Sequence, residues 1–109
     1  RSVEFVHLLF DAEIEGELIN HPAVQDVAVF GIPNADWGEE IKAVIELHEG
    51  FEAGDELAAE ILAWAGTRMG KFKLPRTIDF VETLPREPNG KLIKRKLRDP
   101  YWEGVDRQI

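Results

Sequence analysis

The sequence contains no cysteine, which excludes a disulfide-stapled scaffold, a thiolate metal site and a thiol nucleophile. Its only serine is Ser2, and no strand–turn–helix elbow surrounds it, so a serine-hydrolase triad is not supported. The three histidines, His7, His21 and His48, are far apart in sequence, and none pairs with another at metal-ligand spacing. We therefore expect no metal site, and the lack of cysteine fits a reducing, cytoplasmic location.

Long hydrophobic runs are also missing. No apolar run approaches the roughly 20 residues that a membrane-spanning helix needs, so the sequence predicts no transmembrane segment. The first residues, RSVEFVHLLF, lack the layout of a signal peptide and begin without methionine, so we expect a fragment of a longer protein. The 109 residues, 44% of them hydrophobic, predict one globular domain with a core.

Positive charge is scarce in the first part of the chain and concentrated later. Residues 1–67 contain two cations against 15 acidic residues, whereas residues 68–98 contain ten cations against three. The net charge of -8 therefore hides a basic segment. Such a segment favours contact with an anionic partner, and the alternative is a solvated face that only aids solubility.

Hydrophobic periodicity predicts the order β-α-β-β-α-β, followed by a basic loop and a short helix. The predicted elements are strand 3–9, helix 12–20, strands 24–32 and 41–48, helix 56–69, strand 77–83 and a basic helical turn near 92–98. The two central strands are expected to pair as an antiparallel hairpin, and the run VAVF is typical of a strand covered on both faces. Pro100 is expected to break the last helix. The fold class is therefore α+β, with about three to four strands and two helices on the sheet.

The loop LPREPNGK is stiffened by prolines and presents a single lysine. Gly90 and Lys91 invite comparison with a phosphate-binding P-loop, but Pro85 and Leu92 occupy the positions that this motif requires as glycine and Ser or Thr. A lysine delivered from a loop can still neutralise a carboxylate and a phosphate that otherwise repel each other. Such a domain would need a second domain to hold the substrate.

Three stretches in order resemble the C-terminal domain of adenylate-forming enzymes, the superfamily of acyl-CoA synthetases, peptide-synthetase adenylation domains and luciferases. They are AEIEGELINHPAVQDVAVFGIPNADWGEEIKAVIEL, FKLP and FVETLPREPNGKLIKRKLR, and they lie within about residues 12–98. The ending KLIKRKLRDPYW is most similar to the branch of fatty-acyl or aryl-acid CoA ligases.

The resemblance implies a two-step reaction. A carboxylic acid attacks the α-phosphate of ATP, with Mg2+, to give an acyl-adenylate and pyrophosphate; the small domain then rotates, and CoA displaces AMP. Residues 1–109 would be the C-terminal lid domain, inactive alone, and the large N-terminal domain that binds ATP would be absent. The implied partners are that domain, the acyl-adenylate and CoA.

The same resemblance implies roles for individual residues. Lys91 matches the adenylation lysine and would bridge the acyl carboxylate and the ribose–phosphate oxygens, and Gly90 would let the loop approach closely. Gly38 and Glu39 match a recurrent GE pair of structural role. The residues implied to face CoA phosphates or the large domain are Lys73, Lys94, Arg95, Lys96 and Arg98.

One stretch departs from the family pattern. Relatives usually carry a glycine-rich loop of the form SGGxNIYP, which meets the pantetheine tunnel during thioester formation. Here VEFVHLLFDAEIE is shorter, contains no glycine and has Asp11 in place of the usual proline.

Two other functions stay open at this point. One is a small basic-faced module that binds nucleic acid, which the fold order permits, although the net acidity and the lack of paired surface aromatics argue against it. The other is a non-catalytic interaction domain. RNA binding at physiological salt would favour the first of these.

Overall fold

The computed structural model describes residues 11–34, 38–69 and 74–103. Its elements in chain order are α1 (residues 11–18), β1 (Val24–Asn34), β2 (Gly38–Leu47), α2 (Asp55–Met69), β3 (Thr77–Val81) and α3 (Lys94–Trp102). They confirm the predicted α+β class and the order of the elements after the first strand. The predicted strand 3–9 and Lys73 lie outside the described residues.

The three strands form one mixed sheet in the order β1-β2-β3. β1 and β2 pair antiparallel from Val24 opposite Leu47 to Asn34 opposite Gly38, which confirms the predicted hairpin. β2 and β3 run parallel, with Lys42 opposite Thr77 at one end of the pairing. Parallel neighbours need a long crossover, and α2 lies in the connection between them.

Both faces of the sheet are buried. The first core joins α1 and α2 to one face, and its fully or almost fully buried residues are Ile14, Leu18, Val24, Val27, Val29, Ala43, Ile45, Ile61 and Ala65. The second core lies on the other face and contains Ala28, Phe30, Ile32, Val44 and Leu84, with Leu92, Leu97 and Tyr101 packed against it. The run VAVF alternates between the two cores, as a strand covered on both faces requires.

The third helix confirms one prediction and corrects another. The short basic helix expected near 92–98 forms as the nine-residue α3, but Pro100 lies inside it instead of breaking it. A proline inside a helix removes one backbone hydrogen bond and costs about 3 kcal/mol. Two residues that follow offset this cost, since the Tyr101 hydroxyl donates to Asp79 and the Trp102 indole N–H donates to the Gly31 carbonyl at 3.0 Å.

The GE pair closes the β1–β2 hairpin. Gly38 opens β2 with a φ of +82°, a left-handed conformation that side chains disfavour. Glu39 then folds across the backbone of Gly31, where a Cβ atom would lie 2.5 Å from its Cδ atom. The backbone conformation therefore requires glycine at Gly38, whereas a side chain at Gly31 would only force the flexible Glu39 side chain to move.

Candidate functional site

Lys91 lies at the end of a tight turn that one short antiparallel bridge and its two backbone hydrogen bonds close. Arg86 and Leu92 form an antiparallel bridge, and the Ile93 N–H donates to the Pro85 carbonyl at 2.9 Å. The Glu87 N–H donates to the Lys91 carbonyl at 2.8 Å. The stem of this turn is anchored by Leu84, which is 2% exposed in the second core, so the turn is fixed to the sheet.

The peptide group between Gly90 and Lys91 is held at both ends. Its carbonyl accepts a hydrogen bond of 2.5 Å from Arg86 Nη1, and its N–H donates to Asn89 Oδ1 at 3.0 Å. Gly90 has a φ of +91°, and a Cβ atom there would meet no atom of the described structure within 4 Å. Within this chain, glycine is therefore required by backbone conformation rather than by space.

Arg86 also ties the turn to the edge of the sheet. Its Nε and Nη2 atoms donate to the two carboxylate oxygens of Asp26 at 2.9 and 2.8 Å, the forked geometry that arginine makes with carboxylates. Asp26 follows a register shift in β1 after Val24, and such bulges re-aim the side chains beside them. The sheet edge and the lysine turn thus share one arginine.

The cations predicted to bind anionic groups differ in their exposure and in whether an acidic residue already pairs with them. Lys91, Arg95, Lys96 and Arg98 are exposed, and in the described parts of the chain the ammonium of Lys91 has no hydrogen-bond or ion-pair partner. Lys94 is different, because its Nζ atom lies 2.8 Å from Glu15 Oε2. The same oxygen accepts from the Val29 N–H at 2.7 Å, so this pair fastens α3 to α1 across the outer edge of β1.

A polar cluster holds α3 against the strands. Lys42 is 6% exposed, and its Nζ atom lies 2.8 Å from Asp79 Oδ2, which also accepts from the Tyr101 hydroxyl. Burial alone raises the pKa of Asp79, but hydrogen bonds from Lys42 and Tyr101 and the charge of Lys42 outweigh it and lower that pKa. Burial, together with the Asp79 carboxylate, raises the pKa of Tyr101 from 10.0 to about 12.

Tyr101 therefore makes stability depend on alkaline pH. Because its pKa is raised in the folded state, its contribution is complete below pH 10 and is lost as the pH rises towards about 12. Replacing Tyr101 with Phe should cost about 1 kcal/mol near neutral pH, through the lost hydrogen bond. Urea unfolding at pH 8 and pH 11 should show a smaller gap between the two proteins at the higher pH. A gap that stays constant would contradict the assignment, and since Tyr101 is the chain's single tyrosine, tyrosinate absorbance checks the pKa directly.

Sequence reasoning missed the groups that support Lys91. In the sequence, Arg86 is one of several cations in the basic segment, and nothing marks Asp26, 60 positions away, as its partner. Opposite charges far apart in sequence do not identify a pair until the strand register is known. Across the ranges that the structure describes, no group of three or more His, Cys, Asp or Glu residues is placed to hold a metal ion. No helix there is long and apolar enough to cross a membrane.

The chain is similar to one protein-family model and to several known proteins. The sequence model of the family described as the AMP-binding enzyme C-terminal domain matches residues 13–91, a range that ends on the turn lysine. A long-chain-fatty-acid–CoA ligase of Mycobacterium tuberculosis is 40% identical over 99 residues, which cover 91% of this chain and 19% of that protein. A feruloyl-CoA synthase of an Amycolatopsis species is 40% identical over 91 residues, covering 83% and 18%.

Solved structures give the same result. The crystal structure of an acyl-CoA synthetase from Brucella canis is 36% identical and superposes with a TM-score of 0.82, over 88% of this chain and 18% of that one. The chain thus spans about a fifth of the length of the relatives it matches. A match of this kind does not support a nucleic-acid-binding module. The chain belongs to the AMP-binding enzyme C-terminal domain family.

Proposed function

We propose that this chain is the C-terminal lid domain of an ATP-dependent, AMP-forming acid–CoA ligase, and that Lys91 assists its adenylation step. The observation that carries the proposal is the rigid turn at the end of the family match, which presents an exposed lysine with its backbone fixed on both sides. The named relatives are CoA ligases or synthetases, and each is about five times longer than this chain. The remaining length would supply the large N-terminal domain.

In the first step, a carboxylate oxygen of the acid attacks the α-phosphorus of ATP, and the bond to the bridging oxygen of pyrophosphate breaks. Two anionic groups must meet, so a fixed positive charge stabilises the transition state more than the separated substrates. Lys91 would place its ammonium between the acyl carboxylate and the ribose–phosphate oxygens. Mg2+ would accompany ATP and be bound mainly by the large domain.

In the second step, the thiolate of CoA attacks the acyl carbonyl, and AMP leaves with the bonding electrons. Domain rotation would withdraw Lys91 and bring another face of this domain to the thioester site. Arg95 and Lys96 are exposed cations of α3 and suit the phosphates of CoA or the surface of the large domain. Lys94 is the weakest of the predicted CoA contacts, because Glu15 already neutralises it. Both co-substrates are available in the cytoplasm, where we place the enzyme.

The test is the pair of half-reactions in the full-length enzyme that carries this chain. We expect acid-dependent exchange of pyrophosphate into ATP without CoA, and release of AMP and an acyl-CoA once CoA is added. The isolated chain should support neither half-reaction. If the full-length enzyme exchanges pyrophosphate with no carboxylic acid in a panel of fatty and aryl acids, the proposal fails.

A further inference from the structure

The ion pair between Asp26 and Arg86 stands outside the reacting groups but touches the backbone that carries Lys91. We propose that this pair is a bracket that sets the direction of Lys91, and that Arg86 is a positioning residue for adenylation. The inference deepens the proposed function and rests on it.

The geometry of Arg86 is the first support. One guanidinium makes three hydrogen bonds, two to the carboxylate oxygens of Asp26 and one to the Gly90 carbonyl. Because the guanidinium is planar, fixing it on Asp26 also fixes where the N–H groups of Nη1 point. The carbonyl that it holds belongs to the peptide group whose nitrogen is that of Lys91, so its orientation sets the direction in which the lysine side chain leaves the turn.

The anchor of the bracket is the second support. Asp26 lies in β1, where Oδ1 also accepts from the Val27 N–H at 2.9 Å. Its side chain is 21% exposed, against 40% for Arg86, so the carboxylate is the more buried and better fixed partner. The bracket therefore holds the turn in a fixed position relative to the sheet edge, although residues 86–91 of the turn are all exposed.

A positioning role predicts a selective kinetic defect. Displacing a charge by about 1 Å costs up to about 100-fold in rate, because transition-state stabilisation depends on geometry. In the full-length enzyme, Arg86→Ala and Arg86→Lys should lower kcat for pyrophosphate exchange by about ten- to 100-fold, with KM for ATP and acid nearly unchanged. Lysine retains the charge but not the fork, so Arg86→Lys should rescue little. Asp26→Asn should give a smaller loss of the same kind.

Thioester formation from preformed acyl-adenylate serves as the internal comparison. A variant that is merely unstable loses both half-reactions equally, whereas loss of the bracket affects adenylation alone. Arg68→Ala is a matched control, since Arg68 also pairs with a carboxylate, that of Glu17, at 2.9 Å. The exposed fraction of its side chain, 44%, is similar to the 40% of Arg86. This control should leave both half-reactions unchanged.

Hydrogen exchange provides a readout that does not depend on activity. In the full-length enzyme, Arg86→Lys and Asp26→Asn should speed amide exchange in peptides covering residues 85–93, where the Glu87 and Gly90 N–H groups are bonded in the turn. Arg68→Ala should not. If Lys91→Ala abolishes pyrophosphate exchange while the Arg86 and Asp26 variants behave like Arg68→Ala, the bracket is overturned and the proposed function stands. If Lys91→Ala retains full exchange, the bracket and the proposed role of Lys91 are both overturned, while the proposed ligase activity stands.

Discussion

Replacing Lys91 with alanine in the full-length enzyme is expected to lower the rate of pyrophosphate exchange by about 100- to 1,000-fold, the usual effect of removing one charge-stabilising group from a reacting centre. Thioester formation from preformed acyl-adenylate should change far less, because that step would use another face of the domain. Lys91→Arg keeps the positive charge on a larger planar group and should restore only part of the rate. The measurement is acid-dependent pyrophosphate exchange at saturating ATP.

The structure indicates that Lys91 can be replaced with little effect on stability. Lys91 is exposed, and within the described residues its ammonium contacts no partner, so its removal should change the free energy of unfolding by less than about 0.5 kcal/mol. A rate loss can then be attributed to chemistry rather than to unfolding. Arg68→Ala removes one positive charge from α2, on the other side of the sheet, and controls for the overall electrostatic field. A loss of only a few-fold in Lys91→Ala would remove Lys91 from the reaction.

The fold was largely predictable where side chains alternate with a clear period. α2 was expected over 56–69 and spans Asp55–Met69 because its buried residues recur at helical spacing. β2 was predicted to start at residue 41 but begins at Gly38, because backbone pairing with Asn34 extends the hairpin through residues that carry no hydrophobic pattern. The sequence also does not predict that α3 continues beyond Pro100. Contacts to distant strands, and not local helix propensity, hold that end of α3.

Of the candidate site, the sequence predicts Lys91 but not the residues that hold its turn in place. Lys91 stands out in sequence because a proline- and glycine-containing loop presents it, and the family match ends on it. The bracket that holds the loop depends on Asp26 and Arg86, whose contact follows from a register shift in β1 and the path of the chain after β3. Lys94 differs, because the sequence predicts that it binds an anionic ligand, whereas in the fold it forms an ion pair with Glu15.

The largest stability effect is expected at Phe30, in the core under α3 and the lysine turn. Phe30 is 2% exposed, and its ring lies 6.0 Å from that of Tyr101. Phe30→Ala should lower the free energy of unfolding by about 3–5 kcal/mol, through lost burial and the cavity that remains. Phe51→Ala is the matched control, since Phe51 is 44% exposed and should cost less than about 1 kcal/mol.

Urea unfolding of both variants, followed by tryptophan fluorescence, measures the difference. Because Leu84 and Leu92 of the turn pack in the same core as Phe30, the Phe30 variant should also speed amide exchange in residues 85–93. Equal destabilisation by the two substitutions would show that burial of Phe30 does not stabilise the second core. Unequal destabilisation with unchanged exchange would instead leave the bracket on β1 as the main support of Lys91.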